Sequence, residues 1–286
     1  AVQLGLRPEQ ALKMATIQAA KCYGLHHLGA IAPGYQADFV VLDNLSDMNV
    51  LEVYHRGKKI IKDEKVEIRP CDPQLKNTVH LLGFRESDLC LPWREGKVHI
   101  LKMLEGQIVT EDVQEEVGYT EEKGRKVFKP DGTYQKIAAV ERHKNTGKIG
   151  VGIVKGFGLR GGAIASSVSH DSHNLIVIGD NDHDMYLAVQ ELLRTQGGYT
   201  LVENGQVFDT LPLPIMGLMS DAGYEKVNEK LARMIPKAHE MGIPEGFDPF
   251  ITLSFMALPV IPEIRITPRG VYLTQEDRMI QSPFDR

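Results

Sequence analysis

The sequence predicts an α+β fold built in more than one unit, and three observations carry that prediction. Strand-like and helix-like segments are mixed without strict alternation, which disfavours a doubly wound sheet. Two stretches in the second half place apolar residues at helical spacing. The chain has 286 residues, more than the roughly 150 that one domain commonly uses. Hydrophobic residues at 42% and charged residues at 25% are those of a soluble globular chain, long enough to bury a core without disulfide staples. Lys and Arg number 33 against 38 Asp and Glu, and the net charge of −5 argues against a nucleic-acid partner, which needs a basic face. Cys22, Cys71 and Cys90 form no C-x-x-C pair and read as free thiols in a reducing, cytoplasmic setting.

No membrane partner is expected either. The most apolar run, residues 251–264, includes Thr252, Ser254, Pro259, Pro262 and Glu263 and falls short of the ~20 residues a bilayer requires. Residues 1–5 show no initiator Met, basic segment or cleavage site. They read as a chain entered partway, so a fragment of a larger protein is expected.

Taken in order, residues 8–23 are expected to be helical. Pro8 suits the first helical position, Gly24 suits the left-handed stop, and Ala11, Leu12, Ala15, Ala19, Cys22 and Tyr23 line one stripe. Residues 25–70 read as a small β domain: Pro33-Gly34 is a turn signal, residues 39–42 an apolar strand, and 50–54 and 59–61 the arms of a hairpin about Arg56-Gly57-Lys58. Residues 71–96 hold Trp93, show little periodicity and read as a connector. Within residues 97–286, strands are expected at 98–103, 107–110, 137–140, 149–154, 175–178, 199–202 and 207–208, the last following an Asn204-Gly205 turn. Helices are expected at 184–196, stopping at Gly197-Gly198, and at 224–241, stopping at Gly242 and kinked at Pro236. This larger part is therefore a mixed α+β domain with a sheet and two main helices.

Chemistry concentrates between Glu141 and Asp184, where polar residues sit among apolar strands and are costly to bury without a reason. Gly156-Phe157-Gly158-Leu159-Arg160-Gly161 matches G-x-G-x-x-G after a strand, with Asp180 downstream for a ribose. A dinucleotide site needs a helix to begin there, and Ala163 to His170 is a poor helix former. The other reading is a flexible loop or a close backbone approach. Asp180, Asp182, Asp184 and Glu191 imitate a calcium loop, but Met185 stands where the sharp turn needs Gly; a carboxylate capping the following helix is the simpler account. His170-Asp171-Ser172-His173-Asn174 is sharper. Two imidazoles with a carboxylate between them can pass protons, bind a metal or hydrogen-bond a purine edge; equally, the segment is a polar turn satisfying its own backbone. On a strand His170 and His173 face opposite ways, whereas on a loop they converge. No H-x-H, H-E-x-x-H, C-x-x-C or G-x-S-x-G occurs, so neither a complete metal site nor a nucleophile elbow is legible.

Two sets of motifs carry a resemblance. Met14-Ala15-Thr16, Gly24-Leu25 and Gly29-Ala30-Ile31-Ala32-Pro33-Gly34 through Ala37-Asp38-Phe39-Val40-Val41 resemble the end of an amidohydrolase-superfamily enzyme, where a metal-bearing (β/α)8 barrel closes and a small β domain follows. Glu141-Arg142-His143, Lys155-Gly156-Phe157-Gly158-Leu159, Ser169-His170-Asp171-Ser172-His173-Asn174, Gly217-Leu218-Met219-Ser220 and the apolar, proline-broken stretch from Leu253 to Glu263 resemble the carboxy-terminal domain of the adenine deaminase family. The resemblance implies that residues 1–24 are the last helix of a truncated barrel. It also implies an enzyme of purine metabolism that hydrolyses adenine to hypoxanthine and ammonia, with divalent metal ions, manganese or iron, held by barrel residues ahead of this chain; none of its own residues is assigned to metal. Alone, the chain is expected to be inactive. In the whole enzyme it would cap the barrel mouth, with His170, Asp171, His173 and Asn174 as catalytic residues and Glu141, Arg142, His143 and Ser169 as a substrate-binding group; a homo-oligomer is expected. The rival is a non-catalytic lid or assembly domain, in which residues 247–264 cover a neighbouring subunit. Dinucleotide binding stands as a lesser alternative.

Overall fold

A computed structural model describes residues 1–60 and 71–285. The chain divides into two compact units, Ala1–Pro70 and Cys71–Arg286. The fold is mixed α+β, with few helices and several sheets.

In the first unit the expected helix starts with Pro8 and runs as α1 (Pro8–Lys13), a π-helical turn Met14–Gln18 and α2 (Ala19–Cys22). Its end is a Schellman motif: Gly24, at φ 68°, donates to Lys21, and the Leu25 amide reaches back to the Ala20 carbonyl at 2.8 Å. Strands β1 (Phe39–Leu42), β2 (Val50–His55) and β3 (Lys58–Ile60) form an antiparallel sheet. Arg56 and Gly57 both take positive φ in the β2–β3 turn, the requirement of a tight hairpin whose twist matches its strands. The third strand was expected to reach residue 61, which lies outside the described residues.

The second unit is organised by one sheet whose eight strands are β4 (Val98–Met103), β5 (Thr110–Glu115), β8 (Tyr134–Val140), β9 (Ile149–Lys155), β10 (Gly162–Ser166), β11 (Leu175–Gly179), β12 (Gly198–Glu203) and β13 (Gln206–Pro212). Their spatial order is β13-β12-β10-β11-β8-β9-β4-β5, antiparallel throughout except where β4 runs parallel to β9. A hairpin of β6 (Tyr119–Glu122) and β7 (Arg125–Phe128) stands apart. The sheet is covered on both sides, and strict alternation divides its residues: Ile137, Ala139, Ile164, Ile176 and Ile178 enter one core, Ala138, Val140, Ala163, Ala165 and Val177 the other. The first core is closed by α4 (Tyr224–Glu240), α5 (Pro249–Phe255) and a small sheet of β14 (Ile264–Thr267), β15 (Gly270–Leu273) and β16 (Arg278–Ile280); the second by α3 (Asp182–Thr195) and residues 79–91.

Several differences from the sequence reading have physical causes. The glycine-rich stretch is followed by the strand β10, not by a helix, which removes the dinucleotide alternative. Gly158 is needed instead for a close approach, since a Cβ there would sit 2.5 Å from the Gly242 carbonyl oxygen, and Asp180 accepts the amides of Gly161 and Gly162 at 2.5 and 3.1 Å. Asn181, rather than an aspartate, caps α3 through the Asp184 amide at 2.8 Å. The strand expected at 107–110 lies at Thr110–Glu115. Within residues 71–96, Val79, Phe84, Leu89 and Leu91 are buried. In residues 247–264, Phe250, Leu253, Met256 and Ile264 fill this chain's own core, while Ile251 and Val260 are exposed.

Candidate functional site

Strand pairing brings the two polar groups together. Val140 at the end of β8 pairs with Leu175 at the start of β11, and Ser166 at the end of β10 pairs with Ile176. The residues just beyond, 141–143 after β8 and 167–174 between β10 and β11, must therefore emerge side by side at one edge of the sheet. Ser167 fixes the second loop from beneath: its hydroxyl donates to the Gly217 carbonyl at 2.6 Å and accepts the Gly198 amide at 2.7 Å.

Arg142 is the hub. Only 1% exposed, it donates from Nε to the His173 carbonyl at 2.5 Å, from one terminal nitrogen to the carbonyl and hydroxyl of Thr78 at 2.9 and 3.1 Å, and from the other to the Met216 carbonyl at 2.9 Å. No carboxylate pairs with it among the described residues, and burial lowers its pKa to about 10. Glu141 beside it faces inward on its own loop. Its oxygens accept the amides of His143, Lys144 and Thr146 and the Thr146 hydroxyl. Burial opposes its ionisation, but these donors outweigh burial and hold the carboxyl down to about 2. The exposed His143 ring joins the two loops through Nε2 and the Ser172 carbonyl, 2.7 Å apart.

On the second loop His170 and His173 converge edge to face, their ring centroids 5.6 Å apart. The His170 amide donates to the Ser254 carbonyl at 3.1 Å, and its ring leans on Phe255 at 5.0 Å, so the end of α5 seats it. His173, at φ 48°, turns its Nδ1 onto the Ser169 amide at 3.2 Å. A ring nitrogen that accepts an N–H carries no proton, so neutral His173 presents Nε2–H as a donor. Burial pushes its pKa down, as do the neighbouring His170 and Arg142, while Asp171 acts in the opposite sense. Asp171 is exposed; Asn174 is buried, accepting the Arg142 amide at 3.4 Å and donating to the Ser172 hydroxyl at 3.0 Å. Ser169 is 1% exposed, and its hydroxyl has no hydrogen-bond partner. Outside the loops lies an open depression of about 370 Å³ lined by His143, Lys144, Ser172, Asn174, Arg269 and Met279 among others.

The arrangement can offer hydrogen-bond donors and two neighbouring imidazoles to a small polar ligand. Among the described residues no three His, Cys, Asp or Glu side chains gather as metal ligands. Ser254 and Phe255, from the Leu253–Glu263 motif, complete the constellation together with Thr78 and Met216, which no motif reveals because they lie 64 and 74 positions from Arg142.

Residues 1–60 match the amidohydrolase family model. Residues 107–278 match the adenine deaminase C-terminal domain, and the chain belongs to that family. It is similar to the adenine deaminase of Desulfitobacterium hafniense (strain Y51), 51% identical over 98% of this chain and 48% of the relative. It is also similar to those of Nitratidesulfovibrio vulgaris (strain DP4), at 42% over 95% and 48%, and Bacillus subtilis (strain 168), at 39% over 95% and 48%. The chain thus spans about half the length of these curated relatives.

Proposed function

We propose that this chain is the carboxy-terminal part of an enzyme hydrolysing adenine to hypoxanthine and ammonia in cytoplasmic purine metabolism, and that its 169–174 loop faces the substrate. In this reading residues 1–24 end the barrel, residues 25–70 form the small β domain, and manganese or iron is held by ligands outside this chain in a homo-oligomeric enzyme; the 286-residue chain alone is inactive. The relatives named adenine deaminase support the reaction. The observation that carries the site is the convergence of two imidazoles above a buried, unpartnered hydroxyl.

The reaction puts a water oxygen on C6 of the purine, breaks the C6–N bond and releases the amine as ammonia, so protons must move from water to the departing nitrogen. His173, held as an Nε2–H donor, hydrogen-bonds a ring nitrogen; His170, part-exposed between His173 and Phe255, relays the proton to the amine. Asp171 tunes the pair by its charge, Asn174 orients the ligand, and Ser169, Glu141, Arg142 and His143 form the substrate-binding group. Replacing His173 by Asn in the intact enzyme is expected to lower kcat by about a hundredfold, the usual cost of a donor that serves the transition state. Unchanged steady-state kinetics would withdraw the loop from the site.

A further inference from the structure

A buried guanidinium without a carboxylate demands an account, since desolvation penalises the charge and only hydrogen bonds offset it here. Arg142 has no free face on which to meet a ligand. It is almost wholly enclosed, it receives Gly217 so closely that a Cβ there would come within 2.8 Å of a guanidinium nitrogen, and its four hydrogen bonds end on three segments of chain. One of those acceptors is the carbonyl of His173, a residue in the left-handed region that the loop must hold against its own preference.

We infer that Arg142 is a positioning residue: through the His173 carbonyl it fixes the direction in which that imidazole presents Nε2–H, and it ties the loop to Thr78 and Met216 so that the presentation survives ligand exchange. This rests on the reading of the 169–174 loop as part of the substrate site, and it moves Arg142 from direct substrate contact to action through His173. The guanidinium has a second consequence. The groups facing His173 are His170, Asp171, His143 and Arg142, and of these the arginine alone is a fixed cation in the neutral pH range. Its charge disfavours protonated His173, keeping the ring neutral, with Nδ1 accepting the Ser169 amide and Nε2–H left to donate.

The experiment uses Arg142→Met and Arg142→Lys in the intact enzyme, with kinetics across pH and an NMR titration of the His173 imidazole. Arg142→Met is expected to lower kcat at least tenfold with KM changed less than threefold, and to move the acid limb of kcat and the His173 titration to higher pH. Arg142→Lys, which keeps a cation but cannot fork to the same carbonyls, is expected to recover the titration and only part of kcat. A tenfold rise in KM at constant kcat would mean direct substrate contact, and an unmoved imidazole titration would mean a purely structural role; either overturns the inference. Should Arg142→Met fail to fold, Thr78→Val, which deletes the hydroxyl acceptor alone, is expected to lower kcat about twofold to fivefold in the same pattern, and no change there also counts against it. Failure of the site reading is distinct: His173→Asn would then be silent while the titration shift in Arg142→Met persisted.

Discussion

Glu141 shows a carboxylate in a polar motif acting as a structural staple. Three amides and a hydroxyl converge on its two oxygens, closing the turn that carries Arg142 and His143. Because its folded pKa of about 2 lies below the ordinary carboxylate value, the stabilisation is present above the unfolded pKa and is lost as pH falls toward the folded one. Glu141→Gln is expected to cost about 1–2 kcal/mol at pH 7, a figure discounted for solvent screening of a part-exposed group. Thermal melts of both proteins should converge as pH falls from about 4.5 to about 2, and a gap of constant size would refute the assignment. At this scale the polar segments themselves were legible, because His, Asp and Asn crowding between apolar strands is a compositional anomaly. What they touch was not: Phe255 and Met216 look like any core or surface hydrophobes until the chain has folded around them.

At the scale of elements, legibility followed length and periodicity. Strands β4, β8, β9, β11 and β12 announced themselves through β-branched apolar runs, and α3 and α4 through helical stripes. β10 did not, since Gly162-Ala163-Ile164-Ala165-Ser166 has the small residues of a loop. Those small residues are what a central strand needs where a helix lies close upon it: Ala163 and Ala165 are fully buried on the α3 side. Seven residues made α5 too short for a periodic signal, although Pro249 at its first position and Asp248 accepting the amides of Phe250 and Ile251 are a legible start. The α3 contact gives a test. A Cβ at Gly179 would lie 2.6 Å from the Met185 Cγ and 3.0 Å from the Ala163 Cβ. Gly179→Ala is expected to destabilise by about 1–3 kcal/mol through overpacking. Because the nearest clash is with the Met185 side chain, while the Ala163 Cβ and the Gly162 carbonyl oxygen at 3.0 Å remain, Met185→Ala should suppress part of that cost, giving a double-mutant coupling of about 1 kcal/mol; strict additivity in denaturant melts would mean that α3 does not sit on this face.

Over the whole molecule, apolar burial is distributed very unevenly, and that distribution sets which amides are protected. In the second unit the central strands have both faces covered, with Ile137, Ile164, Ile176 and Ile178 entirely buried on one side and Ala163, Ala165 and Val177 on the other. Opening them exposes two cores at once. In the first unit Ala20 is the one buried hydrophobic residue among those described, while Val50 and Leu51 on β2 are 57% and 62% exposed. With roughly 25 cal/mol gained per Å² of apolar surface removed from water, a three-stranded sheet and a short helix that bury so little cannot approach the stability of the larger unit. Hydrogen exchange of this 286-residue chain is therefore expected to separate into two classes. Amides of β8, β10 and β11 should exchange only on global opening, whereas those of β1, β2 and β3 should exchange orders of magnitude faster and with no shared dependence on denaturant. The same pattern bears on the site, because the 169–174 loop is hung between β10 and β11, the most deeply covered strands. Its donors are thus preorganised by the most stable part of the chain, and equal protection across the two units would remove that basis for their placement.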